Sequence, residues 1–277
     1  MRTYFFGDIH GNLYALEACL KHMEMLGTDA VMCLGDLVGW LPFGDETLER
    51  MRSLGFPTVA GNHDLLVAGL FTDNPHRLDR MQATAYNAGR LSTMEGAVDY
   101  LLSLPLSLEG DSFTAVHHSP FHLPQPGTPP TIECFDYLDE AALTQCLEPW
   151  HAHPKRIIFS GHDHLPAVYE LPDSARHPLR IEDVKVHRLL PAQPLTVHLD
   201  PRSRYWIKAG SVGGPYRDGI PAANPVLYDS DSQTVTLFRL SYPTEDLHRK
   251  LTTHFFSRNL LTLRRYADLI ETLKDQI

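Results

Sequence analysis

Three observations predict an α/β fold for this chain. Short runs of β-branched and aromatic residues alternate with segments whose apolar residues recur at helical spacing. Each of the early apolar runs ends in a cluster of Asp, His or Asn beside a glycine. The composition, 43% hydrophobic and 21% charged over 277 residues, is that of an ordinary globular protein with ample material for a core.

The first run, Thr3-Tyr4-Phe5-Phe6, reads as a buried strand. Leu13, Leu16, Leu20, Met23 and Leu26 then repeat as on a helix, with Asn12 placed to cap it. Asp8 and His10 leave the strand end together, and residues two apart on an extended segment point to one side, so the two can converge on one object. Ala30-Val31-Met32-Cys33-Leu34 is a second strand, ending in Gly35-Asp36. Taken alone that dipeptide is a turn, and its place after a βαβ-like unit is what raises it. Leu48, Met51, Arg52 and Leu54 suggest a helix closed by Gly55. Thr58-Val59-Ala60 is then a third strand running into Gly61-Asn62-His63-Asp64.

Residues 75–104 read as helical up to Pro105, with an apolar stripe through Leu78, Met81, Ala85, Leu91, Val98, Leu101 and Leu102 that suits packing. Phe113-Thr114-Ala115-Val116 is the next strand and delivers His117-His118-Ser119-Pro120. Five prolines between 120 and 130 make that stretch a surface loop beside the site. After a helix over 139–147, the strand Lys155–Phe159 ends in Gly161-His162-Asp163-His164. Residues 171–203 are polar and proline-rich, with Val184–His187 and Leu195–Leu199 read as a hairpin-like excursion. Tyr205–Ile207, Pro225–Tyr228 and Thr234–Phe238 look like an antiparallel run around the glycine-rich loop Ala209–Pro215. Leu247, Leu251, Phe255, Leu260, Leu263 and Leu269 mark a helical tail over about 244–277. With no repeat or linker, residues 1–277 are expected to form a single domain.

The formal charge of −10 argues against stable nucleic-acid binding, which needs a basic face. A phosphate substrate stays open, because bound cations would reverse the sign locally. No apolar run is long enough to span a bilayer and no signal peptide is evident, so a cytoplasmic protein without a membrane partner is expected. The four cysteines form no Cys-x-x-Cys pair, and Cys19 and Cys33 read as reduced core residues. Sixteen histidines are many for this length, so only constellations of them carry weight.

One constellation gathers the strand-tip groups Asp8, His10, Asp36, Asn62, His63, His117, His162 and His164. Carboxylates, imidazoles and an amide oxygen without thiolate suit Mn²⁺, Fe²⁺, Ni²⁺, Co²⁺ or Zn²⁺. Seven such ligands are too many for one ion and suit two close together. Two ions can clamp a phosphoryl group and acidify a water for in-line attack as hydroxide. His63, beside a ligand but not needed as one, is the candidate general acid for the departing oxygen.

The series Gly-Asp-x-His-Gly, Gly-Asp, Gly-Asn-His-Asp, His and Gly-His-x-His resembles the calcineurin-like metallophosphoesterase superfamily. Gly35-Asp36-Leu37-Val38-Gly39-Trp40 and Ala209-Gly210-Ser211-Val212-Gly213 are similar to signatures of its bacterial and archaeal "predicted phosphodiesterase" branch, and the likeness covers residues 2 to about 240. The resemblance implies a four-layer α/β/β/α sandwich of two mixed sheets flanked by helices. It also implies Asp8, His10, Asp36 and His164 on one ion, and Asp36, Asn62, His117 and His162 on the other, with Asp36 bridging and His63 as acid. The chain departs from the family at His118, where glycine is usual; His118 can line the substrate pocket, act as a ligand or fill space. Ala60 and Asp64 stand where protein phosphatases and symmetrical dinucleoside tetraphosphatases have the Arg and Glu of Arg-Gly-Asn-His-Glu, so an arginine clamp is missing there. Arg217 is a second candidate substrate contact, either on phosphate or simply in a turn. Asp163 should point away from the metals and support the turn.

The expected function is hydrolysis of a phosphodiester or a small nucleotide-type substrate. The alternatives are a phosphomonoesterase or a dinucleoside polyphosphate hydrolase. A non-catalytic scaffold of the same fold is a third reading, which the retention of every ligand disfavours. Oligomeric state is not legible.

Overall fold

A computed structural model of the chain describes residues 1–72, 76–135, 137–254 and 264–274. The elements begin with β1 (Arg2–Phe6), α1 (Leu13–Leu26), β2 (Ala30–Cys33), α2 (Gly44–Leu54), α3 (Asn62–Val67), α4 (Leu78–Leu91) and α5 (Ala97–Ser103). Next come β3 (Ser107–Glu109), β4 (Phe113–Val116), α6 (Glu140–Ala152), β5 (Ile157–Ser160), β6 (Ala167–Pro172), β7 (Lys185–Arg188), β8 (Leu195–His198) and β9 (Ser203–Lys208). The chain closes with β10 (Val226–Asp229), β11 (Thr234–Leu237), α7 (Thr244–Thr253) and α8 (Arg264–Lys274). Phe255, Leu260 and Leu263 of the expected tail lie outside the described residues, as does residue 75 of the expected long helix.

Two mixed sheets stack face to face. One has the order β2-β1-β10-β11-β8, the other β3-β4-β5-β9-β6-β7. Side-chain alternation explains the layering. On β1, Phe5 points between the sheets and stacks on Phe159 of β5 with ring centroids 3.8 Å apart. Tyr4 and Phe6 point the other way, into a core shared with α1, α2, α7 and α8. On the second sheet, Ile157 and Phe159 face inward, while Ile158 and Trp206 face α6 through Leu143, Leu147 and Trp150. The result is helices, sheet, sheet, helix, the four layers expected from the resemblance. β1 pairs parallel with β2, and β4 and β9 pair parallel with β5. Carboxyl ends from both sheets therefore face one edge of the sandwich.

Local expectations differ from the structure in four places. The run 75–104 is two helices, because Gly96 takes a left-handed conformation (φ 65°) between them. Thr58–Ala60 makes only a bridge to Cys33 at the outer edge of β2. Val184–His187 and Leu195–Leu199 do not form a hairpin: β7 pairs with β6 in one sheet and β8 with β11 in the other. Tyr205–Ile207 is not in the antiparallel run either. β9 lies parallel to β5, and only β10 and β11 pair as expected.

Candidate metal centre

The strand ends deliver their polar residues through left-handed backbone. Among the described residues six non-glycines have positive φ, and five of them are Asp8, His10, Asp36, His162 and His164. Asp8 and His10 thus converge because each turns the chain out of the strand, and not because the segment is extended. Such conformations cost on the order of a kcal/mol each and persist only where the surroundings enforce them. Here backbone hydrogen bonds do so: the Asp8 N–H donates to Gly35 O at 2.8 Å and the His10 N–H to Asp36 O at 2.9 Å, locking the β1 and β2 tips together.

Each carboxylate is also held by a segment from elsewhere in the chain. The His162 N–H donates to both oxygens of Asp8, at 3.1 and 3.2 Å, and the His63 N–H donates to Asp36 Oδ1 at 2.8 Å. Gly161 immediately precedes the first donor, and Gly61 lies two residues before the second. A Cβ at either would collide with a carboxylate oxygen, of Asp8 and Asp36 respectively, so only glycine permits the approach.

Asp8, His10, Asp36, Asn62, His117, His162 and His164 all come together, each no more than 6% exposed. The Nδ1–H of His10 donates to Val38 O, that of His117 to Leu34 O and that of His164 to Pro215 O, at 3.3, 2.6 and 2.8 Å. A carbonyl can only accept, so these bonds fix the tautomer and turn each Nε2 lone pair into the cluster. There the lone pairs meet other acceptors. His10 Nε2 lies 3.3 Å from His164 Nε2, and His164 Nε2 lies 3.1 Å from Asp8 Oδ1. His117 Nε2 lies 3.2 Å from Asn62 Oδ1 and 3.3 Å from Asp36 Oδ2. His162 adds an Nε2 that is buried without a hydrogen-bond partner among the described residues.

Packed acceptors of this kind repel one another unless positive charge lies between them, and divalent cations supply it. Ligand atoms of Asp8, His10 and His164 lie within 4.8 Å of one another, and so do those of Asp36, His117 and His162. The residues present fit two such ions.

Without cations a proton takes part of that place. Burial lowers the pKa of His117, but the facing Asp36, aided by Asp8 and the bond to Leu34, outweighs it and holds the group at about 9. Burial dominates at His10, which falls to about 4, and at His63 and His162, both well below the usual histidine value. Asp36 ends well below the carboxylate range, since His117, His63 and His10 overcome its burial.

His63 stands at the wall of the pocket over the cluster, which Asp36, Asn62, His162, His164, Arg80 and Arg217 also line. Its ring meets that of His10 edge to face at 4.7 Å, and its Nδ1 is buried with no hydrogen bond among the described residues. It lies within ligand reach of His10 and Asp36 as well. His118 is 2% exposed and packs behind His162, ring centroids 5.1 Å apart, so it is not at the pocket wall. Arg217 is exposed at the rim, its guanidinium 4.2 Å above the Tyr137 ring. Asp163 pairs with the buried Lys208 and accepts from the Leu138 N–H, bracing the His162–His164 turn.

Two further contributors were not visible as such in the sequence. Asp64 sits beneath the centre, fully buried, and its carboxylate accepts from the N–H groups of Asp36, Leu37, Val38 and Gly61. Burial and the neighbouring Asp36 push it up to about 7, against the Gly61 and Leu37 N–H donors and the nearby His117. Its place next to Asn62-His63 was the one available signal. The other is the carbonyl of Pro215, which orients His164. It left no signal, because every residue has a carbonyl.

Fold and site together define a metal-binding phosphoester hydrolase. A family model for calcineurin-like phosphoesterases matches residues 1–187, and the chain belongs to that family. An uncharacterized protein of Methanocaldococcus jannaschii is 29% identical over 250 residues, covering 88% of this chain and 89% of that protein. The crystal structure of a metallophosphoesterase from Sphaerobacter thermophilus superposes with a TM-score of 0.72 at 28% identity, covering 97% of this chain and all of that one. A symmetrical bis(5'-nucleosyl)-tetraphosphatase of Cronobacter sakazakii is 42% identical over 74 residues, a match spanning 26% of either chain. Among the described residues no helix is long and apolar enough to cross a membrane.

Proposed function

We propose that this chain is a dinuclear-metal-dependent phosphoesterase acting on a phosphodiester or nucleotide-type substrate. The observation that carries the reading is the buried set of facing lone pairs, whose tautomers are fixed from outside by backbone carbonyls. Asp8, His10, Asp36 and His164 would hold one ion and Asp36, Asn62, His117 and His162 the other. Bound there, two divalent cations (Mn, Fe, Ni, Co or Zn) would offset the phosphoryl charge and supply an acidified water as nucleophile.

The chain's own residues do the rest. His63, anchored through its backbone to Asp36 and standing at the pocket wall, would give a proton to the departing oxygen. An anionic phosphoester beside the ring acts against the depression that burial causes. Arg217 and Arg80 at the same pocket offer positive charge to the substrate. His118 would support His162 from behind. The four cysteines are all unpaired, which suits a single cytoplasmic domain in a reducing compartment.

A dinucleoside polyphosphate hydrolase is the second reading, favoured by the short 42% match, although Ala60 and Asp64 depart from that enzyme's motif. Protein purified from metal-replete medium should carry two equivalents of transition metal and cleave bis-p-nitrophenyl phosphate. Chelation should abolish turnover and metal return should restore it. One equivalent only, or no turnover when fully loaded, would refute the reading.

A further inference from the structure

The pocket over the metal centre adjoins a cavity of about 420 Å³. The two share Trp40, Tyr137, Pro215 and Arg217 as walls. Beyond these shared walls the linings differ: the pocket adds Asp36, Asn62, Arg80 and three imidazoles, whereas the cavity adds Tyr216, Arg77, Asp268, Leu269 and Thr272.

Three rings face it, those of Trp40, Tyr137 and Tyr216. Tyr216 presents its ring and not its hydroxyl, which is engaged by Val212 O at 3.1 Å and by the Tyr242 hydroxyl at 2.6 Å. Tyr137 stacks on the imidazole of His162 at 5.1 Å and 22°, and the Arg217 guanidinium lies over the Tyr137 ring, 4.2 Å from its centroid. Planar groups in contact, His162, Tyr137 and Arg217, thus run from the metal centre to the cavity wall. Arg77 adds a second guanidinium, while Asp268 of α8 supplies a carboxylate. On a chain of net charge −10, this gathering of arginines at one opening is a local reversal of sign.

We propose that the cavity is a subsite for the nucleoside of a nucleoside phosphoester whose phosphorus lies over the metal centre. The proposal rests on the phosphoesterase reading above and narrows it to a substrate class. A base has two planar faces to set against the rings and guanidinium groups. Ribose hydroxyls and base amines offer hydrogens to a carboxylate such as Asp268, and any further phosphate meets Arg77 or Arg217. Lipid tails would leave these charged groups buried without partners, and a sugar phosphate has no π face to stack. The volume lies in the range of small-ligand sites, roughly 300–1,000 Å³.

Thymidine 5'-(p-nitrophenyl phosphate) and methyl p-nitrophenyl phosphate share a leaving group and differ in the nucleoside, so their kcat/KM ratio reads this cavity. The metal-loaded protein should prefer the thymidine ester by about 30-fold or more. Stacking contributes roughly 5- to 100-fold per base in such sites, so Arg217→Ala should cut the ratio by about ten-fold. Asp268→Ala should cut it by a smaller factor. Circular dichroism of each variant would establish that it folds. Equal kcat/KM for the two esters, or a ratio unchanged in Arg217→Ala, overturns the subsite. Turnover of neither ester counts against the phosphoesterase reading instead. A calorimetric titration with thymidine 5'-monophosphate then decides the subsite. Saturable binding tighter than that of inorganic phosphate, by a margin that Arg217→Ala narrows, supports it; no binding, or binding no tighter than that of inorganic phosphate, overturns it.

Discussion

Replacing Asp64 with asparagine would test how far one buried carboxylate shapes the metal centre. Asp64 Oδ2 accepts from the Asp36 N–H at 2.8 Å and the Gly61 N–H at 3.0 Å. Its Oδ1 accepts from the Leu37 N–H at 2.8 Å and the Val38 N–H at 3.3 Å. Asparagine keeps the shape but has one acceptor oxygen and one donating NH₂. Whichever way the amide turns, two buried backbone donors face another donor. Each unsatisfied donor costs about 1–3 kcal/mol, and because two share one side chain a total of about 2–5 kcal/mol is expected. That is a large part of the roughly 5–15 kcal/mol by which a domain is stable. Urea denaturation of the metal-free protein should show a lower midpoint at unchanged slope. Metal affinity should fall at least about ten-fold, because the same donors position the Asp36 backbone. Asp64→Ala should be no worse than Asp64→Asn, since truncation admits water to the donors. A loss below about 1 kcal/mol in Asp64→Asn, with full metal binding, would show that these hydrogen bonds do not hold the centre.

Asp36→Asn should weaken binding of both metals and abolish turnover, because the shared negative charge between two cations is removed; loss of only one metal with turnover intact would refute the bridging assignment. His63→Ala should keep both ions and lose roughly 10²–10⁴ in rate, with a smaller deficit for nitrophenolate than for alkyl leaving groups. An equal deficit on both, or a lost ion, would make His63 a ligand, which its reach to His10 and Asp36 permits. In the chelated protein, His117 is raised from 6.5 to about 9, so its contribution is complete below pH 6.5 and lost as pH rises through about 9. The loss is on the order of 3 kcal/mol. Thermal melts across that window should fall without metal and stay level with it, and a level metal-free profile would contradict the pairing with Asp36.

Much of this protein was legible from sequence because the governing patterns are local. Asn12 caps α1 as expected, its side chain accepting from the Ala15 N–H at 3.2 Å. A cluster of Asp, His or Asn at the end of an apolar run, mostly with a glycine close by, marks a strand tip, and seven residues from such clusters do meet in the structure. Layering followed from alternation on β1 and β5, once two faces had to be covered. Strand partners were decided only in three dimensions. β7 and β8 look alike in sequence, yet they go to different sheets because β6 and β11, far apart in the chain, offer the open edges. The left-handed turn at Asp8 and His10 could not be read from residue type, since its cost is met by bonds from the β2 tip and by His162, over 150 residues away. For the same reason the roles of Asp64, of the Pro215 carbonyl and of the Trp40–Tyr137–Arg217 wall emerged only from the structure. Each is defined by what packs against it, and packing between distant segments leaves no period in the sequence.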